Sequence, residues 1–317
     1  MIADTVKQRF EAIVRSGDGD AAVLARAGKQ GDMAAAADLA ALFARAGFVE
    51  PALVLDVYDA AAAGWFGEKT SAPVSFRAGS GGANPALWAP FWDFIDDEQK
   101  MDAGAFTMRT AGLGAHVDES FAKRAGEASL DFPGVPEAVK QGWPEKFQLS
   151  DLAACPEGSL GAEFHHLIVD NKFDLEVLDR DTLGLSKLRP PLHYLNARIL
   201  QCHDLWHIVG GYHTTALHEV AISAFQLSQF GHNYSAQFLA VVVIKAAIKR
   251  PESLPLLLEI ILSGWRHGRG TPQLLGVVWP DVWREPTDTV RRRLGVAPYK
   301  SPVPPDLVEQ LERAGMA

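Results

Sequence analysis

Residues 192–230 read LHYLNARILQCHDLWHIVGGYHTTALHEVAISAFQLSQF. Apolar side chains recur there at helical spacing on both sides of the glycine pair Gly210-Gly211, and nothing alternates with the period of a strand. Because adjacent glycines end a helix, the pattern predicts one helix over 192–209 and a second over 216–230. A short broken loop between two helices favours an antiparallel hairpin.

The helical pattern extends in both directions from this hairpin. Further helices are predicted over 235–249 and 254–266, and residues 1–66 also have apolar residues at helical spacing. Within that N-terminal part, Gly47 is expected to end one helix and Pro51 to begin the next. Since strand signals are almost absent, we expect an all-α, multi-helix bundle.

Proline and glycine divide the chain. The stretch 131–156 is rich in both and is the candidate boundary between domains. We therefore predict an N-terminal helical region over 1–135, to which the sequence assigns no role, and a second helical domain over 145–300. Residues 67–85 are predicted to form a loop.

Composition limits the class of protein. The chain has 317 residues, 48% of them hydrophobic, and a formal net charge of −9, so its overall surface is unsuited to nucleic acid. Two cysteines, Cys155 and Cys202, cannot form a disulfide framework, which favours a reducing compartment. The longest apolar run, 238–244, is far shorter than the roughly 20 residues of a membrane span. We expect a cytoplasmic protein without a signal peptide.

Three potential metal ligands lie close together near the end of the first hairpin helix. His203 and His207 are four residues apart and point about 40° apart around a helix, while Asp204 follows His203 directly. All three therefore fit on one helical face. Imidazole and carboxylate groups are the usual ligands of zinc and of nonheme iron.

A fourth potential ligand, Glu219, comes twelve residues after His207. On one continuous helix it would point away from the cluster. Because Gly210-Gly211 breaks the helix and Thr214 or Thr215 can cap the next one, the chain can turn back and bring Glu219 to the cluster. The sequence thus predicts a site for a divalent metal with two histidines and two carboxylates. The donor set suits both zinc and nonheme iron.

Other interpretations of these residues stay open at this point. Histidines at this spacing often only pack on a helix, and Asp204 can orient a histidine instead of binding the metal. A metal-dependent hydrolase is a weaker alternative, because the zinc-protease motif requires glutamate where this chain has Asp204. His165 and His166 follow Glu163 with the spacing of half a di-iron motif, but a single copy favours a structural role.

The pattern H-D-x-x-H, eleven residues, then Glu, resembles the signature of the coenzyme Q biosynthesis protein four family. Arg198 lies where that family has an arginine before the motif. Weaker similarity is found in the flanking stretches EGSLGAEF (157–164), WRHGRGTPQLL (265–275) and WREPTDTVRRRLGVAP (283–298). The resemblance covers roughly residues 150–300.

This chain also departs from the family pattern. Leu200-Gln201 replace an Arg-Glu pair before the motif, His213 replaces a proline, and His218 replaces the glycine that commonly precedes the glutamate. The ligand set is intact, so these differences concern the pocket around it.

The resemblance implies a helical protein that binds a divalent metal, usually zinc, through His203, Asp204, His207 and Glu219. It implies peripheral association with the inner face of a membrane and a role in ubiquinone biosynthesis. The implied activity is metal-dependent, oxidative decarboxylation at C1 of a prenylated hydroxybenzoate, which makes the chain a carbon–carbon lyase. The implied alternative is a noncatalytic, lipid-binding scaffold that organises the other ubiquinone-biosynthesis enzymes.

Several partners follow from that interpretation. The ligand would be a prenylated aromatic acid or isoprenoid lipid, and we predict Arg198 or Arg269 as the cation that binds its carboxylate. Two apolar runs, 238–248 and 254–262, suit either the helical core or the wall of a tunnel for an isoprenoid tail. We also expect contacts with other ubiquinone-biosynthesis proteins, a homodimer and no nucleic acid.

Overall fold

The computed structural model describes residues 2–68, 83–99, 101 and 103–315. Over this part of the chain it forms sixteen α-helices and no β-strand, which confirms the predicted all-α fold. The first eight are α1 (Asp4–Ser16), α2 (Ala21–Lys29), α3 (Met33–Phe48), α4 (Val54–Phe66), α5 (Trp88–Asp96), α6 (Ala103–Leu113), α7 (Phe121–Ser129) and α8 (Val135–Val139). The others are α9 (Leu149–Ala153), α10 (Leu160–Asn171), α11 (Leu192–Gly210), α12 (Ala216–Phe230), α13 (Asn233–Lys249), α14 (Leu254–Gly270), α15 (Thr287–Leu294) and α16 (Leu307–Arg313).

Helices α11 to α14 are all predicted from the sequence, and their bounds agree with the prediction to within four residues. Helix α11 ends where the glycine pair predicts. Gly211 has φ 75°, in the left-handed region that glycine enters without strain, and its N–H donates to the carbonyls of His207 and Ile208.

Helices α12 and α14 cross at very short range. A Cβ atom added at Gly264 would lie 2.3 Å from the carbonyl oxygen of Ala221, and one added at Gly268 would lie 2.7 Å from that of Phe225. Two glycines one turn apart on α14 therefore let the two backbones touch. This contact fixes the helix that carries Glu219 against the core.

The N-terminal helices cover this central group, and here one prediction is wrong. Gly47 does not end a helix: α3 continues through it to Phe48. A Cβ atom at Gly47 would lie 3.0 Å from the carbonyl group of Ala236, so the glycine serves close packing of α3 on α13 rather than termination. Its role depends on a neighbour almost 200 residues away in sequence.

Buried side chains from both predicted regions share one hydrophobic core. For example, the rings of Tyr58 on α4 and Trp265 on α14 stack 4.8 Å apart. The candidate boundary at 131–156 contains the short helices α8 and α9, and the division into two domains stays a prediction. Most of the predicted loop 67–85 lies outside the described residues.

The two apolar runs on α13 and α14 contribute to this core. Leu239, Val241 and Val243 are fully buried, and so are Leu258 and its neighbours Ile260, Ile261 and Leu262. Among the described residues, no helix combines the length and the apolar character needed to cross a membrane.

Candidate metal centre

The hairpin of α11 and α12 brings together the four side chains that the sequence singles out. His203, Asp204 and His207 lie on the last two turns of α11, and Glu219 lies in the first turn of α12. The Nε2 atoms of His203 and His207 are 3.3 Å apart. Glu219 bridges them, with Oε2 3.3 Å from the Nε2 atom of His203 and Oε1 3.3 Å from that of His207.

These three distances suit a small divalent cation. Ligand atoms bonded to a tetrahedral zinc ion at about 2.0–2.1 Å lie about 3.3–3.4 Å from one another. Asp204 is slightly further out, with Oδ1 4.0 Å from the Nε2 atom of His203. One ligand atom each from His203, Asp204 and His207 fits within 4.8 Å of the others. Both histidines, together with the carboxylate of Asp204 or of Glu219, can therefore hold a metal ion.

Electrostatics also mark this position as a site for positive charge. Burial lowers the pKa of His203, but the hydrogen bond and the negative charge of Glu219 raise it, and the net effect brings this pKa to about 9. Burial raises the pKa of the Glu219 carboxyl, yet the two histidines hold it well below its usual range. Burial raises the pKa of Asp204. In the metal-free protein, a proton on His203 therefore balances the Glu219 carboxylate.

The site is closed on one side and open on the other. The His207 side chain is only 2% exposed, whereas that of Glu219 is 41% exposed. His203 and Asp204 are intermediate. A ligand from solvent would therefore approach along Glu219, while His207 forms the buried floor.

Sequence reasoning missed Gln226. Its side-chain amide hydrogen-bonds the Nδ1 atom of His203 at 2.7 Å, which orients the ring so that Nε2 faces His207 and Glu219. Contacts of this kind fix the tautomer and direction of a metal-binding histidine. A signal for it exists in the sequence, because Gln226 follows Glu219 by seven residues and so lies on the same face of α12.

Two departures from the family pattern form a pair in the structure. The backbone N–H of His213 donates to Nδ1 of His218 at 2.8 Å. A proline at 213 has no N–H, and a glycine at 218 has no acceptor. His218 is 2% exposed, and burial lowers its pKa to about 4, so the ring is neutral and its proton lies on Nε2. This hydrogen bond thus joins the loop between the two helices to the first turn of α12.

The predicted cap of α12 differs from expectation. Thr215 does occupy the N-cap, but its hydroxyl donates to the carbonyl of Pro305 instead of accepting from the helix. The carboxylate of Glu309 accepts from the N–H of Ala216 in its place.

The two arginines predicted to bind substrate have partners elsewhere. Arg198 is buried and donates to the carbonyls of Leu275 and Val277, at 3.1 and 2.8 Å. Arg269 forms an ion pair with Asp59, Nε to Oδ1 3.2 Å. The structure places neither contact at the histidine cluster, and their role in substrate binding stays a prediction.

The cysteines match the expectation of free thiols, while the structural role of the second histidine group stays a prediction. Cys155 and Cys202 are free thiols, and burial raises the pKa of Cys202, as expected for a small core residue. Glu163 accepts a hydrogen bond from Thr287 at 2.7 Å, and His166 is exposed.

The region that contains the histidine cluster is similar in sequence to known proteins. A family model described as Coenzyme Q (ubiquinone) biosynthesis protein Coq4 matches residues 143–300. The rat mitochondrial ubiquinone biosynthesis protein COQ4 homolog is 29% identical over 157 residues, which cover 47% of this chain and 55% of the rat protein. The COQ4 protein of Kluyveromyces lactis is 24% identical over 165 residues, covering 51% of this chain and 46% of that protein.

A solved structure is similar over a longer part of the chain. It is a protein of Nostoc punctiforme PCC 73102 described as a "putative ubiquinone biosynthesis protein", 25% identical with a TM-score of 0.51. The similarity covers 67% of this chain and 97% of that one. By contrast, the chain spans about half the length of the curated relatives it matches. Through residues 143–300, which include the whole histidine cluster, the chain belongs to the Coenzyme Q (ubiquinone) biosynthesis protein Coq4 family.

Proposed function

We propose that this chain acts in ubiquinone biosynthesis and removes the C1 carboxylate of a prenylated hydroxybenzoate at the cluster of His203, His207 and Glu219. The family match and the names of the relatives support the pathway. The observation that carries the site is the position of the Glu219 carboxylate, 3.3 Å from both Nε2 atoms. A carboxylate and two imidazoles at this spacing form a donor set for a divalent cation.

His203, His207, Glu219 and Asp204 would hold the metal, with zinc preferred and iron also compatible with the donors. Once bound, the ion would supply a Lewis acid that attracts and orients the carboxylate of the substrate. The chain's own contribution is positioning. Gln226 holds the His203 ring, and the buried His207 forms the floor of the site. The exposed edge of Glu219 leaves the approach for an aromatic acid.

The overall reaction has a simple balance. The bond between ring carbon C1 and the carboxylate breaks, carbon dioxide leaves, and its electron pair stays on the ring. A proton then takes its place, or, in the oxidative form, water supplies the hydroxyl group that replaces the carboxylate while dioxygen accepts the two electrons and leaves as hydrogen peroxide.

The alternative proposal is a noncatalytic, lipid-binding scaffold for the other enzymes of the pathway, with a structural metal. The two proposals differ in the role of Asp204. Structural zinc sites are closed by four protein ligands, whereas catalytic sites keep one position open. A coordination position left open to water would favour the catalytic proposal, and a metal closed by His203, Asp204, His207 and Glu219 would favour the scaffold. Membrane contact, an isoprenoid lipid ligand, protein partners and a homodimer stay part of both proposals.

The test is a profile of quinone intermediates by mass spectrometry. A host lacking its own gene of this family is complemented with the wild-type chain, Glu219→Gln or Glu252→Gln. Glu252 is exposed and lies far from the cluster in sequence, so its variant is the matched control. We expect Glu219→Gln to accumulate a carboxylated prenyl-phenol, while the wild type and the control restore quinone. Normal quinone with Glu219→Gln, at normal protein level, would overturn the catalytic proposal and favour the scaffold.

A further inference from the structure

The C-terminal part of the chain contacts both ends of the loop between α11 and α12. We call residues 291–309 the clasp. Arg291, on α15, donates to two carbonyls near the end of α11, those of Val209 (3.1 Å) and Ile208 (2.6 Å). The N–H of Tyr299 donates to the carbonyl of Gly210 at 2.7 Å. The clasp therefore satisfies the last carbonyl groups of the helix that carries the two histidines.

The same segment also holds the start of α12. Oε1 of Glu309 accepts from the N–H of Ala216 at 2.9 Å, and the Thr215 hydroxyl donates to the carbonyl of Pro305 at 2.7 Å. The second carboxylate oxygen of Glu309 is buried, while the residue as a whole is partly exposed. A carboxylate at the amino end of a helix is stabilised both by the free N–H groups and by the helix dipole.

The start of α12 determines where Glu219 lies. Glu219 is three residues after Ala216, and its own N–H donates to the carbonyl of Thr215 at 2.9 Å. A shift of Ala216 would therefore carry the Glu219 carboxylate with it. His207 is likewise only one turn from the carbonyls that Arg291 and Tyr299 hold. By holding both helix ends, the clasp sets the distance between His207 and Glu219.

We propose that Glu309 is a positioning residue of the metal site, acting through the first turn of α12. The proposal rests on the proposed metal site and extends it to a residue beyond 143–300, the region that the family model matches. Glu309 lies 93 residues from Ala216 in sequence, and nothing in the H-D-x-x-H motif indicates it.

The experiment uses cobalt(II) as the probe, because its visible d–d bands are strong in four-coordinate sites and weak in six-coordinate ones. Full-length wild type, Glu309→Ala, Glu309→Gln, Thr215→Val and the control Glu252→Gln are titrated with the metal. We expect Glu309→Ala to bind cobalt about fivefold more weakly. This fold-change corresponds to the free energy that a helix cap contributes, if all of it is needed to position Glu219. Its bands at saturating cobalt should also be weaker. Glu309→Gln keeps an acceptor oxygen and should restore most of the affinity and intensity.

Thr215→Val provides a second route if Glu309→Ala does not fold. It removes the hydroxyl that binds Pro305 while keeping the shape of the side chain, and we expect about a twofold loss of affinity. Band intensity at saturating metal separates positioning from stability, because a purely structural role would leave it unchanged. Wild-type affinity and wild-type bands in both variants would overturn the proposal. Failure of the wild-type chain to bind cobalt would overturn the metal site itself, and with it the positioning role of Glu309.

Discussion

Two groups in the described part of the chain, one on α10 and one at the hairpin of α11 and α12, both combine glutamate and histidine, and they differ in burial and in their glutamate–histidine contacts. In α10, Glu163 binds Thr287, and His166 is half exposed with its nearest carboxylate, Glu157, 3.8 Å away. At the hairpin, His203 and His207 are enclosed and both meet Glu219 at 3.3 Å. The difference is that the hairpin donors come from two helices that face each other. Potential metal ligands spaced along one helix only share a face of that helix. Ligands from two facing helices can converge on one metal ion.

The largest effect should come from removing the residue that crosses the hairpin. We expect Glu219→Gln to weaken zinc binding by more than about 100-fold, because it removes a charged ligand and leaves the two imidazoles without their carboxylate. Glu163→Gln is the matched change in α10 and should leave zinc affinity unchanged. Competition with a chromophoric chelator measures both. Equal affinity of the two variants would remove the distinction between the groups.

A smaller effect should come from the residue that orients His203. We expect Gln226→Ala to lower zinc affinity by about tenfold, the scale seen when the hydrogen-bond partner of a metal-binding histidine is lost. Gln8→Ala, on the exposed side of α1, is the control. The same chelator assay applies. An unchanged affinity would show that packing alone holds the His203 ring.

The last prediction concerns pH. The pKa of His203 is raised to about 9 in the metal-free protein, so zinc must displace a proton at neutral pH. Zinc affinity should therefore rise by up to about tenfold per pH unit and level off above pH 9. The stability of the metal-free protein should change with pH in the opposite direction. The ion pair between His203 and Glu219 contributes fully to stability below about pH 6.5, the pKa of histidine in the unfolded chain, and this contribution is lost as the pH rises through about 9, the pKa of His203 in the folded chain.

Calorimetry in two buffers of different ionisation enthalpy measures the proton release directly. We expect close to one proton released per zinc at pH 7. Zinc binding without proton release would show that His203 is already neutral and would contradict the ion pair with Glu219.

Features of this molecule that depend on residues near one another in sequence are predictable, and features that depend on residues far apart in sequence are not. Helices α11 and α12 follow from local periodicity and the glycine pair, and the same pattern places Glu219 beside the histidines. Gly47 was wrongly expected to end a helix because its partner, Ala236, comes from a distant part of the chain. Gln226 was detectable from its seven-residue spacing. Glu309 was not, because only the tertiary fold brings it to α12.

The hydrogen bond between His213 and His218 constrains how this loop can change over time. In the family pattern these positions hold proline and glycine, which have neither the donor nor the acceptor. Replacing His213 by proline alone would leave a buried imidazole nitrogen unpaired, at a cost of about 1–3 kcal/mol. The two positions are therefore coupled in one direction: a buried His218 needs a residue with a backbone N–H at position 213, whereas His213 is exposed and does not need His218. Homologues with histidine at 218 should therefore lack proline at 213.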